Sequence, residues 1–203
     1  MEYSKSKLAE LISTRISHDL AGGIGSLGNM LDCLESGENL EAEDKNILDN
    51  VAQSLSARQK FLRIVFGVET KSLSNDDLRE ICEKYLATVG SRAYKINLDL
   101  KNIVSDLAKY ICLCVMIAAE IVIKNADIEI DVNKKNIAIN INSDSDLSAT
   151  KIKAYQQILN GEILEDGLAS QLVPLIYLRE VLGANVPIKL NVPDEKNVSF
   201  IIG

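Results

Sequence analysis

One histidine occurs in the 203-residue chain, and an aspartate follows it directly as His18-Asp19. An imidazole carries out acid–base and nucleophilic chemistry near neutral pH, so the pair is a candidate reactive group. The adjacent carboxylate would orient the ring, fix which nitrogen carries the proton and raise the basicity of the other nitrogen. One interpretation of the pair is a phosphoryl acceptor, His18, oriented and activated by Asp19. The alternative is a polar histidine on a solvated helix face, and composition and spacing alone leave both open.

The helix that carries His18 is predicted to span residues 5 to 35. Apolar residues recur along it at spacings of three, four or their sums and mark one face, comprising Ile12, Ile16, Leu20, Leu27, Leu31 and Leu34. On a helical wheel with ~100° per residue, His18 falls almost opposite this stripe. We therefore expect the imidazole to point to solvent, where a phosphoryl donor can approach in line.

Small side chains surround His18 on its own face of the helix. Gly22, Gly23, Gly25 and Gly28 lie within seven positions, although each glycine costs a helix interior ~1 kcal/mol relative to alanine. A helix that gives up so much stability needs either the open space beside its backbone or the backbone flexibility that glycine provides. We expect a partner protein to dock here on Thr14, Arg15, Ala21, Gly22 and Gly25.

A second helix is predicted over residues 41 to 67, after a turn at 36 to 39. Its apolar stripe comprises Ile47, Val51, Leu55, Leu62 and Val65, and Gly67 marks its end. The short connection predicts an antiparallel hairpin. A lone hairpin cannot bury both stripes, so we expect a second copy to complete a four-helix bundle across a two-fold axis.

The remaining residues are predicted to form an α/β unit after a linker over 68 to 75. Ser74 and Asp77 predict a capping pair for a helix over 75 to 90. Alternating apolar residues predict strands at 96–100, 128–132, 137–141, 186–192 and 197–202, and helices are expected at 103–124, 147–160 and 168–182. The fold class is thus α+β, with residues 1–70 as a dimerisation and phosphotransfer hairpin. Residues 71–203 form the second domain, whose helices gather on one face of a mostly antiparallel or mixed sheet.

The second domain lacks the sequence features of a nucleotide site. No glycine occurs from Ser91 to Asn160, and the segment Asn142-Ser-Asp-Ser-Asp-Leu-Ser offers carboxylates where a phosphate needs backbone amides. The helix from Leu107 to Lys124 contains no asparagine for Mg²⁺, and Asn125 comes only after its end. We therefore expect no ATP binding, no cofactor and no ATP-dependent kinase activity.

Composition bears on the binding partners and the cellular location of the protein. The net charge is −7, with no dense cluster of Lys and Arg, which disfavours binding to nucleic acid or an anionic membrane. The N-terminus is charged where a signal peptide becomes apolar, so we expect a soluble, cytoplasmic protein. Four cysteines without a CxxC pair, Cys33, Cys82, Cys112 and Cys114, are expected to be core thiols rather than metal ligands.

Three motifs resemble the ChpT family of alphaproteobacterial histidine phosphotransferases. RISHDLAGGIGSL, from Arg15 to Leu27, resembles the family's histidine box, and SARQKFLRIVFG, from Ser56 to Gly67, resembles the end of its second helix. Asn160-Gly161-Glu162 and the later QLVPL segment resemble its C-terminal half. Gly23 departs from the pattern because the family carries proline there, which puts the local helix shape in question.

The resemblance implies a dimeric histidine-kinase-like bundle followed by a degenerate ATPase-like α/β sandwich, with His18 as phosphoacceptor. It also implies a phosphorelay from the receiver domain of a hybrid histidine kinase to response regulators, with Mg²⁺ held only by the partner receiver domain. Two alternatives stay open. The chain could be a non-catalytic dimeric scaffold with a kinase-like shape. It could also be an ATP-dependent histidine kinase, but the absence of glycine from Ser91 to Asn160 leaves no glycine-rich nucleotide loop and disfavours this alternative.

Overall fold

A computed structural model describes residues 3–35, 42–67, 73–89, 94–133, 136–183 and 185–203. The chain begins with two long helices, α1 (Lys5–Glu35) and α2 (Ala42–Phe66), as predicted. They run antiparallel, because Asp19 of α1 contacts Arg58 of α2 and Gly23 lies beside Leu55. We call α1 and α2 the hairpin. The turn predicted over residues 36 to 39 lies outside the described residues.

Both predicted signals at the ends of helices are found. At the end of α2, the Gly67 amide donates to the Arg63 carbonyl at 3.0 Å, and a Cβ on Gly67 would clash with that same carbonyl. The third helix, α3 (Asn75–Val89), begins with a reciprocal capping pair. The Asp77 amide donates to Ser74 Oγ at 3.0 Å, and the Ser74 amide donates to Asp77 Oδ2 at 3.2 Å. The Ser74 hydroxyl also donates to Asp77 Oδ2, which lowers the pKa of that carboxyl.

A five-stranded mixed sheet follows. Its strands are β1 (Ile96–Lys101), β2 (Ala126–Val132), β3 (Ile137–Ser143), β4 (Ile188–Asn191) and β5 (Asn197–Ile202). The spatial order is β1-β2-β3-β5-β4, with β1 and β2 parallel and all other neighbours antiparallel. The alternating pattern places apolar residues on one buried face. The predicted strands and the mixed α+β class are confirmed.

The helices that follow α3 differ in detail from the prediction. They are α4 (Ala108–Ile121), α5 (Ala149–Leu159), α6 (Asp166–Gln171) and α7 (Val173–Leu182). The prediction of a helix over 103–124 was too long, because a separate 3-10 turn precedes α4 and Val122 is already extended. The single helix predicted over 168–182 is two helices. Pro174 lies in the first turn of α7, where its missing N–H is tolerated, and the break falls just before it.

One apolar core joins the hairpin to the rest of the chain, which we call the C-terminal part (residues 73–203). Leu8 and Leu11 of α1 and Phe61 of α2 are buried in the same core as α4, and Phe61 stacks on Tyr85 at 3.8 Å between ring centroids. The predicted domain boundary at residue 70 therefore falls between two parts of the chain that share one core. The division into two domains stays a prediction. Within the part of the chain that the structure describes, no helix has both the length and the apolarity of a membrane span.

Three of the four cysteines, Cys82, Cys112 and Cys114, are buried free thiols, as expected. Burial raises the pKa of Cys114 to about 12, which keeps that thiol protonated and unreactive at neutral pH. The side chain of Cys33 lies outside the described residues.

Candidate functional site

His18 lies on the outward face of α1, and its side chain is 83% exposed. The helical-wheel prediction for the imidazole is thus confirmed. Thr14, Ala21, Gly22 and Gly25, predicted to surround it, are all exposed. Apart from the adjoining residues and backbone of α1 itself, no described atom lies within 4 Å of the position that a Cβ would take on Gly22 or Gly25. The surface around the ring is therefore open.

Asp19, the next residue along α1, is buried, with its side chain 6% exposed. Its Oδ1 lies 3.5 Å from His18 Nδ1, longer than a hydrogen bond between these atoms. Its Oδ2 accepts a hydrogen bond from Arg15 Nε at 2.8 Å. The carboxylate thus stands between the imidazole and a buried guanidinium. That Asp19 orients and activates His18 stays a prediction, and the geometry is compatible with it.

Arg15 does not have the exposed position that contact with a partner requires. Its guanidinium is buried, and in addition to Asp19 it donates to the Gln171 carbonyl at 2.7 Å and to Glu120 Oε1 at 2.5 Å. The expectation that a partner docks directly on Arg15 was wrong, because the side chain turns inward to these three acceptors. The residue instead ties α1 to the C-terminal part.

The Arg15 guanidinium keeps its charge despite its burial. Burial lowers its pKa, but the nearby carboxylates of Glu120 and Asp19 raise it, so that the pKa of Arg15 lies above its ordinary value. Lys151 of α5 completes the cluster by donating to Glu120 Oε2 at 2.9 Å. Two carboxylates and two cations therefore alternate in the order Asp19, Arg15, Glu120, Lys151.

A second arginine fixes the backbone beneath the site. Arg58 of α2 donates from Nη1 to the Asp19 carbonyl at 2.9 Å and from Nη2 to the Thr88 carbonyl at 2.5 Å. Because Thr88 belongs to α3, one guanidinium connects three helices at the level of the histidine. The position of Asp19 is thus set twice, at its side chain by Arg15 and at its backbone by Arg58.

Two grooves of about 430 Å³ each meet at the histidine. The first lies between α1 and α2, and small residues such as Gly22, Ser26 and Ser54 line it. The second lies between α1 and the C-terminal part and is bordered by Lys151 and Gln171. In the described ranges, the residues common to both grooves are His18, Asp19 and Arg58. A partner seated over His18 would have recesses on both sides of the ring.

Sequence reasoning missed four contributors to this site, Arg58, Glu120, Lys151 and Gln171. Arg58 and Gln171 stand inside motifs that carried the family resemblance, but nothing in those motifs assigned them a contact. Glu120 had a stronger signal, because it is the charge that ends the apolar run from Tyr110 to Ala119. A carboxylate at that position of a buried helix must find a cationic partner.

In the segment 142–148, where the sequence offers carboxylates in place of a phosphate-binding loop, most backbone amides already have acceptors within the protein. The backbone N–H groups of Ser143, Asp144, Ser145, Leu147 and Ser148 all donate to acceptors within the chain. Asn125 donates to Asp144 Oδ2 and accepts from the Lys95 amide, so it cross-links two loops. These five amides are therefore not free to bind a phosphate. Within the described ranges, no cluster of His, Cys, Asp and Glu side chains is arranged to hold a metal ion.

Comparison with known proteins gives a fold and no family. No protein-family model matches the chain, and no curated protein matches it. The whole chain is similar to a solved structure of a bacterial phosphotransferase, with a TM-score of 0.78, 16% identity and 98% of that chain covered. The Acinetobacter baumannii histidine kinase AdeS is more distant, with a TM-score of 0.47, 15% identity, and 91% of this chain and 96% of that chain covered. At 16% identity, the similarity to the bacterial phosphotransferase establishes the fold alone.

Proposed function

We propose that this chain is a histidine phosphotransfer protein of a two-component phosphorelay. His18 accepts a phosphoryl group from the receiver domain of a hybrid histidine kinase and passes it to response regulators. The observation that carries the proposal is the pairing of an exposed imidazole with a buried, anchored carboxylate at 3.5 Å. The fold shared with a bacterial phosphotransferase and the ChpT-like motifs support the same function.

The transfer step follows from the two nitrogens of the ring. A small rotation of His18 brings Nδ1–H into hydrogen-bonding distance of Asp19 Oδ1, which leaves the lone pair of Nε2 directed to solvent. That lone pair forms the N–P bond while the P–O bond to the partner's aspartate breaks, and the aspartate leaves as a carboxylate. The ring becomes positively charged, and the Asp19 carboxylate stabilises that charge. The reverse step delivers the phosphoryl group to a second receiver domain.

In this proposal the C-terminal part supports the site and does not bind nucleotide. The satisfied amides of the 142–148 segment and the structural use of Asn125 both favour this reading. The chain then needs no cofactor of its own, and Mg²⁺ belongs to the partner receiver domain. The phosphoryl group comes from the aspartyl phosphate of the partner receiver domain.

The proposal includes a homodimer formed by the hairpins. The distal half of α1 carries apolar residues that nothing in the described chain covers, with Ile24 59% and Leu31 57% exposed. The proximal half of the same helix packs inward through Leu8, Leu11 and the Arg15–Asp19 pair. The distal apolar face is thus turned away from the core of its own chain. A second hairpin would cover it and complete a four-helix bundle.

The test is transfer from phosphorylated receiver domains to the wild-type chain and to His18→Ala. We expect an acid-labile, base-stable phosphoryl group on the wild type and none on the variant, whose fold should be intact because the side chain is exposed. The second half of the assay mixes the phosphorylated protein with a panel of unphosphorylated response regulators. Transfer that persists in His18→Ala would refute the assignment. A wild-type chain that accepts nothing from any receiver would favour the scaffold alternative.

A further inference from the structure

A line of charged groups leads from the exposed histidine into the C-terminal part. From His18 it passes to Asp19, then to Arg15 and then to Glu120 of α4. We propose that Glu120 is a positioning residue for the His18 imidazole, acting through Arg15 and Asp19. The claim deepens the proposed function, and only its transfer-rate readout rests on that function.

The geometry of the guanidinium is the first step. Its donors form a planar fork, so the direction of one hydrogen bond restricts the others. Two of the three acceptors, Glu120 Oε1 and the Gln171 carbonyl, belong to the C-terminal part. The third is Asp19 Oδ2, on the helix of the histidine. The C-terminal part therefore sets the orientation of the Arg15 fork, and through it the rotamer of Asp19.

Charge is the second step. Arg15 is shared between two carboxylates, so Asp19 alone does not neutralise it. In a buried setting, where charges interact strongly, removal of the Glu120 charge would leave Arg15 to pair with Asp19 alone. Asp19 would then be drawn toward the guanidinium, and its Oδ1 would be a weaker acceptor for His18 Nδ1. Lys151 bonds the outer oxygen of Glu120, Oε2, and so holds it from the side opposite Arg15.

A purely structural role for Glu120 makes a different prediction from a positioning role. If Glu120 only ties α1 to α4, its loss lowers stability and leaves the imidazole unchanged, since the His18 side chain is exposed and makes no hydrogen bond to Glu120. If Glu120 positions Asp19, its loss also changes which ring nitrogen carries the proton. The tautomer of His18 therefore separates the two roles.

The experiment uses the full chain labelled with ¹⁵N-histidine. Because His18 is the sole histidine, the spectrum contains one imidazole, and its ¹⁵N shifts report the tautomer directly. We expect the Nδ1–H tautomer of His18 to predominate over the Nε2–H tautomer in the wild type. In Glu120→Gln we expect this preference for Nδ1–H to be lost. We also expect slower phosphotransfer, by about 10- to 100-fold, the range found when hydrogen-bond partners that orient metal-binding histidines are removed.

Two further variants complete the design. Glu129→Gln is the matched control, because it makes the same chemical change in a surface ion pair with Lys101 on β1, and it should alter neither readout. Glu120→Asp keeps the charge on a shorter side chain and should show an intermediate tautomer shift. Circular dichroism and thermal melting establish that each variant is folded.

The outcomes are distinct. A folded Glu120→Gln protein with the wild-type tautomer ratio would overturn the proposal. Loss of folding in both Glu120→Gln and Glu120→Asp would also contradict it, since the residue would then be a structural tie. If the wild type accepts no phosphoryl group, the proposed function fails, whereas the positioning of the imidazole is still decided by the tautomer measurement.

Discussion

Gly23 of α1 and Leu55 of α2 are in direct contact where the two helices cross above the site. A Cβ on Gly23 would lie 2.5 Å from Leu55 Cδ2 and 2.7 Å from Leu55 Cγ. For Gly22, Gly25 and Gly28, no described atom outside the adjoining residues and backbone of α1 lies within 4 Å of that position. The glycine cluster therefore serves two purposes, since one member allows close helix packing and the others face open space.

Gly23→Ala is expected to destabilise the protein by ~1–3 kcal/mol, the usual cost of overpacking, even though alanine is the better helix former. The midpoint of urea unfolding measures the change. Gly22→Ala is the matched control one residue away, and it should stabilise by ~0.5–1 kcal/mol because its Cβ has room. Leu55→Ala should remove most of the penalty when combined with Gly23→Ala. A Gly23→Ala protein as stable as Gly22→Ala would contradict this account of the contact.

The double variant Ile24→Glu/Leu31→Glu is expected to convert the proposed dimer into a monomer. Both side chains are exposed in the single chain, so charges there should not disturb its own core. Each large apolar side chain buried on association contributes about 2 kcal/mol, so placing charges at two such positions should outweigh the remaining contacts. Light scattering at micromolar concentration measures the mass. Ile201→Glu, the same change at an exposed site on β5, should leave the mass unaltered. A monomeric wild type would refute the dimer itself.

The sequence predicted most of the elements because their signals are local. The apolar spacing of α1 located the helix and placed His18 outside, and the capping pair at Ser74 located the start of α3. Alternation in β2 and β3 located both strands. Each of these features depends on residues within a few positions of one another, so one amino-acid sequence is enough to predict them.

The interior of the site was not predictable in the same way. Arg15 and Asp19 look like solvated charges in sequence, and their burial depends on Glu120, which lies 105 positions from Arg15. Only the fold brings those residues together. The broken helix near Leu172 shows the same limit at smaller scale, because the apolar pattern continues across the break and only Pro174 marks the start of a new helix.

ATP is expected not to bind at millimolar concentration, and the chain is expected not to phosphorylate itself. A phosphate at the 142–148 segment would have to break amide hydrogen bonds already made to groups such as the Glu195 and Ile121 carbonyls. It would also approach the carboxylates of Asp144 and Asp146, which repel it. Titration calorimetry with Mg²⁺ and ATP provides the measurement, and a nucleotide-binding histidine kinase provides the positive control. Micromolar binding, or saturable stabilisation by nucleotide, would overturn this prediction.

Gly25→Leu is expected to preserve folding and dimerisation yet slow phosphotransfer by about tenfold or more, because small misplacements of reacting groups have large effects on rate. Gly25 lies two turns from His18 on the same side of α1, and its Cβ position is open among the described residues. A leucine there would project into the surface on which we expect the receiver domain to dock, together with Thr14, Ala21 and Gly22.

Gly25→Ala separates helix propensity from steric obstruction. It should stabilise α1 by ~0.5–1 kcal/mol and leave transfer close to wild type, because a methyl group is small. Melting temperature, oligomer mass and transfer rate are then measured on the alanine and leucine variants side by side. If Gly25→Leu unfolds the protein or breaks the dimer, Gly25 is needed for packing between helices, as Gly23 is within one chain. If Gly25→Leu is a folded dimer with unimpaired transfer, the receiver domain does not dock over this part of α1.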